Sequence, residues 1–256
     1  MGAGGYIGQH TYELLSSSTG FDVVRWSRSL HGSFTDKHSR EKVLDEICPD
    51  FLVNLAWQAT NTERYEHSGG HQLWADSAGI ALGECGDREI WCVLVGSALD
   101  AEPLSPEDTH YTAAKKNLKK VFDNHSQGEP ATLLSPGYVF SLSDQRPRIV
   151  KSILTGRISA EFDLDRPDLA LDFIEVRDVA AAIFNALEFS LAGRLVPFSG
   201  ALRTVRSFYA TVRERIGLPA TAGTDQSIPF WPEEAESLLA SGWRPTQTDC
   251  FFNKER

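Results

Sequence analysis

Short apolar runs alternate with helical stretches along this chain, and the alternation constrains the fold before any single residue does. Strands are predicted over residues 21–28, 51–56, 90–96, 131–134, 169–176 and 194–198. Helices are predicted after the first glycines through Leu15, over 69–82, from Ser105 through Tyr111 to Phe122, from Asp178 to Leu187, over 205–216 and over 232–239. The run from Ile90 to Val95 has no polar alternation, as expected of a strand buried on both faces. Strand and helix in turn predict an α/β fold, a doubly wound parallel sheet covered by helices on both sides.

At 256 residues, 41% hydrophobic and 23% charged, the chain can bury one sizeable core with a small second lobe. A formal charge of -10 disfavours nucleic acid as a partner, because phosphate binding needs a basic surface. Cys48, Cys85, Cys92 and Cys250 have no metal-ligand spacing, so they read as reduced thiols, with no metal expected. No apolar stretch reaches the roughly 20 residues of a membrane span, and no signal pattern opens the chain. These features predict a cytoplasmic protein.

Gly2, Gly5 and Gly8 open the chain, with Tyr6 and Ile7 between them and a helix following. Such spacing permits a tight turn, close approach of a pyrophosphate to backbone N–H groups, and close helix packing. About 20 residues on, where a dinucleotide fold places its ribose selector, stand Ser27 and Arg28 instead of an acid. A hydroxyl and a guanidinium suit a 2′-phosphate, which favours NADP(H) over NAD(H).

The chemistry centres on Tyr111 and Lys115, four apart and hence on one helix face with Ala114, Leu118 and Phe122. Lys116, Lys119 and Lys120 are expected on the opposite, solvated face, which leaves Lys115 as the inward lysine. Ser105, Pro106 and Asp108 predict the start of that helix. An ammonium beside a phenol favours the phenolate, making Tyr111 a usable acid or base near neutrality. Ser97 follows the strand ending at Gly96, and its hydroxyl could hold a carbonyl that Tyr111 protonates.

With these pieces placed, the chain resembles the extended short-chain dehydrogenase/reductases, the nucleotide-sugar epimerase, dehydratase and ketoreductase family. The resemblance spans nearly the whole length. It rests on the glycine turn, Asn54-Leu55-Ala56, the triad Ser97, Tyr111 and Lys115, Pro136-Gly137-Tyr138-Val139, the segment from Asp172 to Ala180, and Ser241-Gly242-Trp243-Arg244-Pro245. It implies one Rossmann-type unit over 1–256, with 1–135 mainly the dinucleotide-binding core and 136–256 mainly a substrate lobe with interleaved core elements. It further implies dinucleotide contacts from Gly2, Gly5, Tyr6, Ile7, Gly8, Ser27, Arg28, Leu55, Ala56, Lys115, Pro136 and Val139. By the same resemblance Lys115 bonds the nicotinamide ribose, and a homodimer forms through the Tyr111 helix and its preceding neighbour. Trp57, Gln58, Ser97 and Ala98, with Arg146 and Arg148, are substrate-pocket candidates by position.

Two departures from the family pattern bear on the expectations. Leu171 stands where an arginine would meet substrate phosphate, which weakens the expectation of a nucleotide diphosphate. The family also places a hydrophobic strand before the glycines, a position that Met1 only closes. Either the true start lies upstream of Met1 and encodes that strand, or the sheet lacks it, and an apolar segment of about six residues ahead of Gly2 is expected to raise stability. Family dehydratases carry an acid pair shortly after the triad serine, whereas Ala98, Leu99 and Asp100 follow Ser97. The expected reaction is NADPH-dependent reduction of a keto group on a nucleotide-linked 4-keto-6-deoxy sugar. The alternatives are an NAD(P)-dependent 4-epimerase and a non-catalytic dinucleotide sensor or scaffold.

Overall fold

The computed structural model describes residues 1–57, 68–101, 103–125, 130–143, 148–158, 164, 166–219 and 227–253. The strands β1 (Phe51–Asn54), β2 (Trp91–Val95), β3 (Ala131–Leu134) and β6 (Gly193–Leu195) form a parallel sheet in the order β1-β2-β3-β6. The register aligns Val53 with Val93, Val93 with Thr132 and Leu133 with Arg194. Helices α4 (Gly70–Gly86) and α5 (His110–His125) cover one face, where Cys92 and Leu94 of β2 meet Leu82, Leu118 and Phe122. Helices α1 (Tyr6–Ser17) and α7 (Val176–Glu188) cover the other, where Val93 meets Leu15, Ile183 and Leu187. Because both faces are dry, successive residues of β2 are all apolar, and truncating one such as Leu94 to alanine would cost about 2 to 5 kcal/mol.

The carboxyl-terminal part adds a second sheet, β4 (Tyr138–Phe140), β5 (Ala170–Glu175), β7 (Ala201–Thr204) and β8 (Ser227–Pro229), in that order. Only β4 and β5 run parallel; β7 and β8 join antiparallel. Its own core gathers Phe140, Phe173, Phe208, Val212 and Phe251, with Phe173 and Phe208 stacked 4.1 Å apart. Helices α6 (Arg148–Leu154) and α8 (Val205–Arg215) flank it. α10 (Thr246–Phe252) is tied back to α7 by the Asp178 carboxylate, which accepts from the N–H groups of Gln247 and Thr248. The Trp243 indole donates to the Asp178 carbonyl at 3.0 Å, so the two signature segments around Asp178 and Trp243 hold one another.

Several expectations are corrected. The predicted strand at 21–28 does not form: no described residue from 21 to 27 belongs to a ladder, and Arg28 instead opens the short helix α2 (Arg28–His31). α3 (Lys37–Ile47), unforeseen, follows it, capped by Asp36. Asp178 lies inside α7, whose cap is Glu175. α5 begins at His110, not at Ser105, because Ser105 and Asp108 close a turn ahead of it and Thr109 accepts from the Thr112 N–H. Lys116 is buried, not solvated: its ammonium bonds Asp108 at 2.7 Å and the Pro103 carbonyl at 2.8 Å. The helix at 232–239 splits into a 3-10 turn (Glu233–Ala235) and α9 (Glu236–Ala240).

Among the described residues, the outer edge of β1 carries one short piece of pairing. The Met1 ammonium donates to the Val53 carbonyl at 2.5 Å and the Leu55 N–H to the Met1 carbonyl at 3.2 Å. Beyond Met1 this edge faces a cleft of about 420 Å³ lined by Leu15, Phe21, Val23, Leu44, Phe51 and Val53.

Candidate functional site

The glycine turn is built by exclusion. Gly2 has φ of +70°, and a Cβ there would lie 2.6 Å from the Ala56 nitrogen and 2.6 Å from the Leu55 carbonyl carbon. A Cβ on Gly8 would lie 2.0 Å from the Gly2 carbonyl oxygen. Only glycine lets the turn rest on Leu55 and Ala56 while α1 packs under it. The Gly5 N–H closes the turn on the Gly2 carbonyl at 2.8 Å, and α1 begins with no side-chain cap and no acid in its first turn. The positive end of its dipole therefore favours an anion at this end. Gly2, Gly5, Gly8, Leu55 and Ala56 come together in the structure, and Tyr6 and Ile7 form the first turn of α1.

Arg28 is exposed at the head of α2, and the Ser27 N–H donates to His31 Nδ1 at 2.9 Å. Arg25, not singled out in the sequence, reaches the turn. Its guanidinium sits over the Tyr12 ring, 5.7 Å from the centroid, and a Cβ on Gly4 would come within 3.1 Å of it.

The second half of the site lies at the carboxyl end of β2. Ser97 caps a 3-10 turn (Ala98–Asp100) that packs against α5, and its hydroxyl accepts from the Leu99 N–H. Asp100 holds this turn in place. Its buried carboxylate accepts from the Ser97 N–H at 3.0 Å, the Ser135 hydroxyl at 2.9 Å and the Arg194 guanidinium at 2.9 Å. The Ala98 N–H donates to the Pro136 carbonyl at 2.8 Å, which brings the Pro136-Gly137 turn alongside, while Val139 packs in the α1–α7 core.

α5 delivers Tyr111 and Lys115 to the same end. The buried Lys115 ammonium donates to the Val95 carbonyl at 2.8 Å and lies 3.6 Å above the Trp57 ring centroid and 5.8 Å from that of Tyr111. Burial strips water from this ammonium and draws its pKa from 10.5 down to about 7, against the opposing pull of the Asp100 carboxylate. Trp57, a substrate-pocket candidate, is stacked on His71 and set edge-on to Tyr111. His71 is fully buried on α4 and escaped the sequence reading; the signal available was its place on the buried stripe His71, Ala75, Ala78, Leu82 and Cys85. Gln58 and Arg146 lie outside the described residues, and of Arg148 only the backbone is described. Among the described residues no three His, Cys, Asp or Glu side chains gather to hold a metal ion. Among them, no helix is long and apolar enough to cross a membrane.

Neither a protein-family model nor a curated protein sequence matches the chain. Solved structures do. UDP-glucose 4-epimerase of Thermus thermophilus, in complex with NAD, matches with a TM-score of 0.66 at 20% identity, over 99% of this chain and 98% of that one. dTDP-4-dehydrorhamnose reductase of Bacillus anthracis str. Ames, in complex with NADP, matches with a TM-score of 0.70 at 14% identity, over 98% and 94%. UDP-N-acetylglucosamine 4-epimerase of Methanobrevibacter ruminantium M1 matches with a TM-score of 0.60 at 16% identity, over 98% and 93%. The chain therefore has the Rossmann-type α/β fold shared by these proteins, over nearly its whole length.

Proposed function

We propose that this protein is an NADPH-dependent reductase of a keto group on a nucleotide-linked sugar, with Tyr111 as proton donor. The observation that carries the reading is Lys115, anchored on the Val95 carbonyl two residues before Ser97 and 5.8 Å from the centroid of the Tyr111 ring. The fold neighbours, an NADP-bound 4-dehydrorhamnose reductase among them, support it.

The residues present fit a dinucleotide, since the absence of side chains at Gly2 and Gly8 lets the turn pack on Leu55 and Ala56 and sets it at the amino-terminal end of α1. Gly2, Gly5 and the first turn of α1 would hold the pyrophosphate, Ser27 and Arg28 the 2′-phosphate, and Lys115 the nicotinamide ribose. When bound, the dinucleotide supplies the hydride to the carbonyl carbon. Tyr111 gives its hydroxyl proton to the carbonyl oxygen as the alcohol forms and is reprotonated from solvent. Ser97 polarises that oxygen, and the Lys115 ammonium favours the phenolate left on Tyr111. Elimination is disfavoured because Asp100, the first acid after Ser97, is committed to Arg194 and Ser135.

A 4-epimerase would use the same three side chains without net consumption of NADPH, and epimerases stand among the fold neighbours. The test follows NADPH absorbance with a panel of nucleotide-linked 4-keto-6-deoxy sugars. Consumption by the parent and its loss in Tyr111→Phe is the expected result. NADPH binding without turnover of any sugar would overturn the reductase reading. The exposed apolar side chains Leu73 and Ile80 on α4 and Val121 on α5 further support a homodimer through these two helices. Light scattering at micromolar concentration is expected to give the mass of a dimer, and a monomer mass would end that part of the proposal.

A further inference from the structure

His71 has a site within the cluster and no part in the chemistry above. A buried imidazole is costly unless its nitrogens are partnered. Here Nδ1 accepts from the Trp57 indole N–H at 3.1 Å, so the neutral ring carries its proton on Nε2. The two rings stack with centroids 6.2 Å apart and planes 17° from parallel. Hydrogen bond and stacking together fix both the tilt and the rotation of the indole. On the indole face rests the Lys115 ammonium at 3.6 Å, an approach that attracts a cation to the ring. Tyr111 meets both rings edge-on, His71 at 5.4 Å and Trp57 at 6.2 Å. Trp57 needs such support because it follows β1 outside any ladder.

We propose that His71 is a positioning residue of this site: by holding the Trp57 indole it sets the platform for the Lys115 ammonium and the ring plane of Tyr111. The inference rests on the reductase reading for its rate measurement, and on structure alone for the others. The test compares His71→Asn, which keeps an acceptor near the place of Nδ1, with His71→Leu, which keeps bulk and loses the acceptor. In nitrogen-15-labelled protein the Trp57 indole resonance, assigned through Trp57→Phe, is expected to move further in His71→Leu, which loses ring and acceptor, than in His71→Asn, which loses the ring alone. His71→Leu is expected to lower kcat about 10- to 100-fold with the sugar KM changed less than about 3-fold, and to weaken NADPH binding, His71→Asn recovering most of both. A purely structural histidine would give no such split and no rescue by asparagine. An unmoved indole resonance with parental NADPH affinity in His71→Leu would overturn the proposal, as would an asparagine variant no better than the leucine one. Should His71→Leu fail to fold, Trp57→Phe decides instead, and parental kcat and NADPH affinity there would overturn it. If the parent binds NADPH yet reduces no sugar, the reductase reading fails, and His71 is judged on the resonance and the affinity.

Discussion

The carboxyl end of β2 and the outer edge of β1 are one strand apart and are held in opposite ways. β2 has a paired strand on each side, so the turn that follows it is fixed from several directions: Asp100 joins Ser97 to Ser135 on β3's side and to Arg194 of β6, and Lys115 is anchored on Val95. The edge of β1 has Met1, a cleft, and an extended segment at 21–27 outside any ladder. The glycine turn rests on that edge through contacts too close for any Cβ. On the proposed reading, proton chemistry would fall to the turn after β2, which is held from both sides, and dinucleotide capture to the glycine turn beside β1. Substitutions at the two places should fail differently.

The largest effect is expected at the stiff end. Tyr111→Phe removes a hydroxyl and keeps the ring that packs on His71 and Trp57, so NADPH affinity should remain near the parent value. Loss of a positioned proton donor should lower kcat about 10²- to 10⁴-fold. Turnover equal to the parent would remove Tyr111 from the reaction, and with it the contrast between the two regions.

At the edge the order of effects should reverse, with binding and stability failing before chemistry. In Gly8→Ala the new Cβ would meet backbone, 2.0 Å from the Gly2 carbonyl oxygen and 2.9 Å from the Ala3 Cα, so no rotamer relieves the clash. Overpacking of this kind costs about 1 to 3 kcal/mol, and the displaced turn no longer presents its N–H groups to a pyrophosphate. Thermal unfolding and NADPH titration should both deteriorate. An unchanged affinity would show that the turn is not where the dinucleotide binds.

How far each region was legible in the sequence follows from how it is held. The run Ile90 to Val95 announced a doubly covered strand through its composition, and Tyr111 with Lys115 announced a shared face through spacing, because both properties are local. Lys116 was misplaced because its partner, Asp108, sits in a turn outside the helix period. Ser105 and Asp108 carry the chemistry of a helix cap, and the same side-chain bonds serve a tight turn equally well. The segment 21–27 has strand composition, yet a strand exists only where a neighbour pairs with it. His71 and Asp100 bear no motif at all; their importance comes from Trp57, 14 positions away, and from Arg194, 94 positions away.

Lys115 sharpens the comparison because the stiff end also stores a cost. The folded chain holds this lysine near pKa 7 by burial, whereas the unfolded chain holds it at 10.5. Between these values the unfolded chain binds the extra proton, so this group makes the folded state gain stability as pH rises from about 7 towards 10.5; below pH 7 the cost of the buried charge is fully present. Lys115→Met, with similar length and no charge, should therefore be more stable than the parent at pH 6, by about 1 to 2 kcal/mol, and should lose the slope above pH 7. It should also lose NADPH affinity and turnover, a gain in stability at the expense of function. A less stable methionine variant would mean that the Val95 hydrogen bond outweighs the desolvation.

The smallest expected effect is the most direct measure of the edge itself. In a strand the N–H and carbonyl of one residue point to the same side, and the Val53 carbonyl points to Met1. The Val53 N–H therefore faces the cleft side, whereas those of Leu52 and Asn54 turn to β2, with which they are in register. Hydrogen exchange should find Val53 at least about 10-fold less protected than Leu52, a difference of about 1.4 kcal/mol in local opening. Grafting an apolar strand of about five residues ahead of Met1, in register with this edge, should close the gap and raise the midpoint of thermal unfolding, since it adds ladder bonds and fills an apolar cleft. The glycine turn would then rest on a paired strand, and NADPH affinity should rise with it. Equal protection of Val53 and Leu52 in the ungrafted chain would show that the edge is already covered, and that the two regions are held alike.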